Sequence, residues 1–292
     1  TLCLDPADVA KKITSKTKAI IPVHMCGAQA RITEIVKLAD HRGIPVIEDT
    51  AQSCGGRLQD KALGSFGKMG CFSFDSVKTL TAGEGGMVIT GDKDLYAKAS
   101  EYHDHGHDHN PKVPRGLEKR SFIGVNFRMS ELQGAVALAQ FRKLESVILP
   151  AQRKNKARIK EALAKMDQIT FREIPDPEGD TGTFVTFFLP TAEKARAFNK
   201  AMAEAGAGAI YWYDNYWHYY EQWEHLLEGK SLMRTGYPFK GESGQGRGSY
   251  SKDALPKTAE ILSRTLSIAI NIHMDQQIPK IISAIENAAK AI

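Results

Sequence analysis

Lys78 stands in the run Cys71-Phe-Ser-Phe-Asp-Ser-Val-Lys-Thr-Leu-Thr-Ala-Gly-Glu-Gly-Gly86. Lysine ordinarily belongs on a solvated surface. Here an apolar strand-like stretch (Cys71, Phe72, Phe74) delivers Ser73 and Lys78 into a turn of Thr and Gly, and a second strand follows at 87–90. That placement presents an amine to a cleft. The distinctive chemistry of a lysine amine is an imine with an aldehyde or ketone, above all with pyridoxal phosphate. An ordinary loop lysine is the plain alternative.

Thirty residues upstream, Ile44-Pro-Val-Ile-Glu-Asp49 reads as a buried parallel strand of β-branched residues ending in two carboxylates. Ligands of open α/β sheets bind beyond the carboxyl ends of strands. Asp49 therefore falls where it can pair with a pyridinium nitrogen and keep the ring electron-withdrawing. The small residues of Thr50-Ala-Gln-Ser-Cys-Gly-Gly56 let a flat ring approach, and the Gln52 amide can bond its hydroxyl. Taken alone, Asp49 reads equally as a helix cap or turn residue.

Five motifs in order carry a resemblance: VHMCG from Val23, IEDTAQSCGG from Ile47, CFSFDSVKTLTAGEGG from Cys71, His105-Gly106, and GVNFRMSELQGAVALAQ from Gly124. Together they resemble the DegT/DnrJ/EryC1/StrS sugar aminotransferases, fold-type I pyridoxal-phosphate enzymes. The resemblance implies a mostly parallel large-domain sheet followed by a smaller α+β domain. It implies that Lys78 carries the cofactor as a Schiff base, that Asp49 meets the pyridine nitrogen, and that Gln52 meets the ring hydroxyl. Ser73 falls at a phosphate-binding serine, and Asn126 at an asparagine that reaches the phosphate from a neighbouring subunit. A homodimer with a shared active site follows from the same resemblance. Relatives that remove a hydroxyl carry histidine where this chain has Lys78, which favours transamination over dehydration. Asp75 and Thr79 depart from the usual pattern, His or Tyr being common at the first and Asn at the second.

These residues need a scaffold, and periodicity supplies one. A strand at 18–23, a helix at 32–41 and a strand at 44–48 alternate as in a parallel sheet covered by helices. Ser130 and Gln133 form a capping box opening a helix whose Leu132, Ala135, Val136 and Ala139 share one face. A helix at about 149–166 leads out of the large domain. A strand at 184–189, a helix at 192–205, a strand at 210–213 and a last helix burying Ile278, Ile281, Ile282, Ile285 and Ala289 build the smaller domain. The expected domains are 1–148 and 149–292, with a flexible loop at 241–251. The resemblance also implies that roughly a hundred residues of the large domain would precede Thr1.

A 292-residue chain that is 42% hydrophobic can bury a large core. The net charge of +5, without a basic block, gives no sign of nucleic-acid binding. No apolar run approaches about 20 residues, so no transmembrane helix is expected. No signal peptide is recognised, and the four cysteines lack CxxC pairing. Reduced thiols and a cytoplasmic location are the expectation.

Two clusters remain. His103-Asp-His105-Gly-His107-Asp-His109 has the residues of a metal site. Alternating ligands around a glycine seldom wrap one ion without partners from elsewhere, so no metal is expected. The resemblance puts His105-Gly106 on a loop lining the active site, which makes His105 and His107 candidates for substrate contact. A solvated polar loop is the alternative. Tyr211-Trp-Tyr-Asp-Asn-Tyr-Trp-His-Tyr-Tyr220, followed by Trp223, holds all three tryptophans. Aromatic faces with polar edges suit sugars as well as a small-domain core, and Trp217 and His218 are the candidates to face substrate.

The expected reaction is ping-pong transamination from glutamate to a keto- or aldehydo-sugar. SFDSVKT, DHGHDH, FREIPDPEGD and YWYDNYWHYY resemble the branch that aminates an octulosonic acid at its terminal carbon, making 8-amino-3,8-dideoxy-manno-octulosonate for lipopolysaccharide. A nucleotide-linked 4-keto sugar is the alternative acceptor, and a pyridoxal-phosphate sugar dehydratase the alternative activity.

Overall fold

The computed structural model describes residues 1–114, 116–240 and 250–292. They form two compact units: Thr1–Lys156 with Glu173–Thr183, and Ala157–Arg172 with Phe184–Ile292. The division falls inside a helix that the sequence placed wholly after its boundary at 148. Most of the expected loop at 241–251 lies outside the described residues.

In the first unit, α1 (Pro6–Lys12) is capped by Asp5, whose Oδ1 accepts from Ala7 N–H. It is followed by α2 (Ile32–Asp40), β1 (Ile47–Asp49), the hairpin β2 (Arg57–Leu58) and β3 (Lys61–Ala62), then β4 (Met69–Ser73) and β5 (Gly86–Ile89). Three helices complete it: α3 (Lys93–His103), α4 (Glu131–Phe141) and the first part of α5 (Leu149–Leu163). β1 pairs parallel with β4, setting Asp49 opposite Cys71, and β5 pairs antiparallel with β4. The expected strand at 18–23 lies parallel beside β1 through two isolated bridges, Ile20 with Val46 and Val23 with Asp49. Four backbone bonds join the two segments (Ile20 N–H to Pro45 O, Ile47 N–H to Ile20 O, Asp49 N–H to Pro22 O and His24 N–H to Asp49 O), and Pro22, with no N–H to give, leaves one rung between them open. Ile32, Ile35 and Ala39, three and four residues apart, turn one face of α2 onto Ile20, Ile44 and Val46. Each such isoleucine contributes about 2 kcal/mol by leaving water.

The capping box of α4 forms as read: Ser130 Oγ accepts from Gln133 N–H, and Gln133 Oε1 accepts from Ser130 N–H. Its apolar face is another matter. Leu132 is 81% exposed and Val136 48%, so the stripe meets no core within this unit.

The second unit is a four-stranded antiparallel sheet, ordered β6 (Thr170–Phe171), β7 (Phe184–Phe188), β9 (Thr265–Ala269), β8 (Ile210–Tyr211). The end of α5, α6 (Ala192–Glu204), a short α7 (Glu224–Leu227), α8 (Pro256–Ser263) and α9 (Ile278–Ala289) accompany it. Phe187 packs edge-on against Phe198 at 5.5 Å, and Ile278, Ala284, Ile285 and Ala288 bury the inner face of α9. Among the described residues no helix is long and apolar enough to cross a membrane.

Candidate active site

Asp49 ends β1, and its Oδ1 accepts from Ala51 N–H at 3.0 Å, which turns the chain out of the sheet. The backbone continues the ladder one residue further, with Thr50 N–H on Cys71 O at 2.8 Å. On the other flank, His24 N–H donates to Asp49 O at 3.0 Å. This places the carboxylate at the carboxyl end of the central parallel pair.

Behind it lies a pair that sequence reasoning missed. His24 and Glu48 are both fully buried, with His24 Nε2 3.0 Å from Glu48 Oε2. Glu48 also accepts from the N–H groups of Gly64, Phe66 and Gly67 at 2.6–2.8 Å, and His24 Nδ1 accepts from Ala30 N–H. Accepting at Nδ1 leaves the proton on Nε2, aimed at the carboxylate. Burial pushes the Glu48 carboxyl up, but hydrogen bonds from His24, Gly67 and Gly64 outweigh it and hold the group below its ordinary 4.5. The signal was present as a strand-end Glu and the His of VHMCG, but nothing in their spacing links them.

Gln52 Oε1 accepts from Cys26 N–H at 2.9 Å. Cys26 sits in the left-handed region at φ 57°, and Gly27 follows at φ 78°. A Cβ on Gly27 would come within 2.2 Å of Thr181 Oγ1 and 2.8 Å of Thr183 Oγ1. Thr181 Oγ1 donates to Gly27 O at 3.1 Å, and Thr183 Oγ1 lies 3.4 Å from Thr79 Oγ1. A continuous contact path thus runs from the residue after Lys78 to the amide of Gln52.

Ser73 closes β4, opposite Gly86, and its Oγ accepts from Asp75 N–H at 3.3 Å. Lys78 is half-buried in the loop beyond, its N–H on Asp75 O at 3.0 Å. The loop returns to the sheet through Ala82 N–H on Phe74 O and Phe74 N–H on Gly85 O, both at 2.9 Å. Asp75, the departure from the usual pattern, is held below its ordinary value by Ser76 and Val77, with Lys78 adding charge.

Lys78, Asp49, Gln52 and Ser73 therefore all belong to the strand ends and loops of one sheet. The donor set fits pyridoxal phosphate: an amine for its aldehyde, a strand-end carboxylate for its ring nitrogen, an amide and a hydroxyl for its oxygens. Cys71, next to this carboxylate, is a free thiol raised by burial and by the Asp49 charge. Cys54 is pushed up to about 11 by burial, so it is inert at neutral pH.

The remaining candidates separate into two places. In the first unit, His105 N–H donates to Val125 O and Asp108 N–H to Lys119 O, both at 3.0 Å, which zips the histidine loop onto residues 119–126. Asn126 bridges to Asp104 there and is exposed. His105, at φ 58°, is exposed and places Nδ1 3.0 Å from Asp104 Oδ1, while Arg128 Nη1 bonds the same oxygen. The bond from His105, opposed by burial and reinforced by Arg128, holds Asp104 at about 2. His107 is turned inward, 2.8 Å from Glu118. In the second unit the aromatic run divides. Trp212 and Tyr219 are core, with Trp212 Nε1 on Ser267 Oγ at 2.8 Å. Trp217 stands 83% exposed, and His218 meets the edge of Trp212 at 5.5 Å.

Residues 1–235 match the family described as the DegT/DnrJ/EryC1/StrS aminotransferase family. An L-glutamine:2-deoxy-scyllo-inosose aminotransferase of Streptomyces kanamyceticus is 35% identical over 213 residues, covering 70% of this chain and 49% of that protein. A UDP-N-acetyl-3-dehydro-alpha-D-glucosamine 3-aminotransferase of Acidithiobacillus ferrooxidans is 34% identical over 210 residues, covering 70% and 53%. The chain spans about half the length of these curated relatives. Among solved structures, a 3-amino-5-hydroxybenzoic acid synthase superposes with a TM-score of 0.77 at 26% identity, over 100% of this chain and 71% of that one.

Proposed function

Because the chain belongs to the DegT/DnrJ/EryC1/StrS aminotransferase family, whose enzymes use pyridoxal phosphate, we propose that it moves an amino group from an amino acid to a keto- or aldehydo-sugar. The observation that carries this reading is the sheet end itself: Asp49 closes one strand of the parallel pair, and Lys78 rides the loop leaving its partner. Bound there, the cofactor supplies an electron sink for charge developing on the substrate carbon.

Lys78 Nζ holds the cofactor covalently. With the cofactor bound, the free Lys78 Nζ would act as general base and acid, taking the proton from the donor α-carbon and later returning one to the acceptor carbon. Asp49 keeps the ring nitrogen protonated. Gln52, fixed by Cys26 N–H, orients the ring hydroxyl, and Ser73 meets the phosphate. Asn126 completes the phosphate site of a second copy in a homodimer. His105 and His107 are the sugar contacts proposed for the first unit, and Trp217 and His218 are those proposed for the second.

Glutamate is the proposed donor, and an octulosonic acid oxidised at its terminal carbon, a lipopolysaccharide precursor, the proposed acceptor. The motifs SFDSVKT, DHGHDH, FREIPDPEGD and YWYDNYWHYY support that acceptor. The names of the two relatives support a second reading, in which glutamine is the donor and a cyclic or nucleotide-linked ketone the acceptor.

The test is amine transfer measured with each donor against each acceptor, beside Lys78→Ala. Wild type should form 2-oxoglutarate from glutamate and an aminated octulosonate, and Lys78→Ala should lose both this turnover and the visible absorbance of the Schiff base. Retained absorbance and turnover in the variant would overturn the role of Lys78. Turnover on the nucleotide-linked ketone alone would replace the acceptor.

A further inference from the structure

We propose that Thr181 and Thr183 are positioning residues for the cofactor, their hydroxyls joining the Lys78 loop to the loop that aims Gln52. Their role rests on the reading that Lys78 and Gln52 meet pyridoxal phosphate. Neither threonine is near those residues in sequence. Both belong to residues 173–183, which follow β6 of the second unit along the chain yet pack within the first.

That segment is fastened along its length. Pro175 and Pro177 restrict its backbone. Gln29 Nε2 donates to Asp176 O at 2.9 Å, and Arg57 N–H donates to Gly179 O at 2.8 Å. A Cβ on Gly179 would come within 2.1 Å of Arg57 O, so the segment lies directly on the β2 backbone. Beyond it Asp180 is buried and paired with Lys156, and its carbonyl accepts from Arg153 Nε at 2.8 Å. Thr181, fully buried, and Thr183, half-buried, stand at the end of this strap.

The hydroxyls there can be ordered in one direction only. A threonine hydroxyl has one hydrogen to donate and two lone pairs. Gly27 O is purely an acceptor, and it takes both Thr181 N–H and the Thr181 hydroxyl hydrogen at 3.1 Å. With that hydrogen engaged, Thr183 Oγ1, 2.5 Å from Thr181 Oγ1, must donate to it. Thr79 Oγ1, 3.4 Å from Thr183 Oγ1, is then the donor in the last and longest contact. The chain of hydroxyls runs from Thr79, beside Lys78, to Gly27.

Gly27 fixes its neighbour Cys26, whose N–H donates to Gln52 Oε1 at 2.9 Å. An N–H at that end settles which way the amide lies: its oxygen faces Cys26, and its NH2 is the end that donates elsewhere. A donor is what a ring hydroxyl oxygen requires. Loss of the Thr181 hydroxyl removes one of the two bonds on Gly27 O and leaves Thr183 without its acceptor, which loosens the support of Gln52 and of Thr79 together.

The experiment is a double-mutant cycle on cofactor affinity, read from tryptophan fluorescence as pyridoxal phosphate is titrated into the full chain freed of cofactor. Thr181→Val keeps the shape and removes the hydroxyl, and should bind at least about fivefold more weakly. Thr181→Ser, which restores the hydroxyl, should stay within about twofold of wild type. In a Gln52→Ala background Thr181→Val should add less than about twofold, because the threonine acts through the glutamine. Thr183→Val should follow the same pattern with about a threefold loss, and serves in its place should Thr181→Val fail to fold. An equal loss in both backgrounds would overturn the positioning role alone, as would unchanged affinity in both valine variants while Gln52→Ala is weakened. Full affinity in Gln52→Ala would overturn the reading of Gln52 as a cofactor contact, and this role with it.

Discussion

His24 and Glu48, 24 residues apart, meet at 3.0 Å with neither side chain exposed to solvent. They sit immediately behind the strand end that presents Asp49. One carboxylate gathers a ring nitrogen and three backbone N–H groups, so it binds the 64–67 turn to the sheet. Glu48→Gln replaces one acceptor oxygen by an NH2 group that faces donors. The expected loss is about 3–5 kcal/mol, the scale for breaking a buried ionic cluster, read as a lower urea midpoint with an unchanged slope.

The same carboxylate sets an acid limit. Its folded value is below the ordinary 4.5, so the folded state favours the ionised form. That stabilisation is complete above about pH 4.5 and is lost as pH falls through the folded value. Urea midpoints between pH 3 and 7 should drop below about 4.5 in wild type, and Glu48→Gln should show a shallower drop. An equal drop in both would assign the acid sensitivity to other carboxylates.

Asp49→Asn separates the sheet from the chemistry. The asparagine oxygen can still accept from Ala51 N–H, so the change in stability should stay within about 1 kcal/mol. Amine transfer should fall by roughly 10²–10³-fold, because the neutral amide cannot hold a protonated ring nitrogen. Single-turnover rates beside circular dichroism would check both halves.

Gly27→Ala should destabilise by about 1–3 kcal/mol. The residue sits at φ 78°, and its new Cβ would fall 2.2 Å from Thr181 Oγ1. Relief requires moving Cys26, whose N–H fixes Gln52. A weaker cofactor affinity, measured by fluorescence titration, should therefore accompany the lower melting temperature.

Two tryptophans five residues apart should behave oppositely. Trp217→Ala, at a side chain 83% exposed, should change stability by less than about 0.5 kcal/mol and raise KM for the sugar acceptor. Trp212→Phe should cost about 1 kcal/mol by removing the Nε1–H donor 2.8 Å from Ser267 Oγ, which keeps its bond to Thr186 Oγ1 at 2.7 Å. Denaturation curves and acceptor kinetics on the two variants would decide.

The sequence made legible what periodicity and local chemistry control. The strand ending at Asp49, the capping box of Ser130 and Gln133, and the helices α2, α6 and α9 all rest on neighbours in the chain. It left illegible what depends on residues far apart. The partnership of Glu48 with His24, and of Glu118 with His107, follows from strand register rather than spacing. The aromatic run could not be divided into core and surface from composition, since Trp212 and Trp217 differ only in where the chain turns. The apolar stripe on α4 is legible as a stripe, while its exposure is not, because amphipathicity marks a face without saying what covers it.

A turn without ladder bonds would ordinarily lose its amide protons to solvent within the fastest fraction. The N–H groups of Gly64, Phe66 and Gly67 instead end on a carboxylate that water does not reach. Their deuterium uptake should be as slow as that of β1 and β4, because releasing them requires the whole unit to open. A connecting segment thus shares the kinetic fate of the sheet it joins.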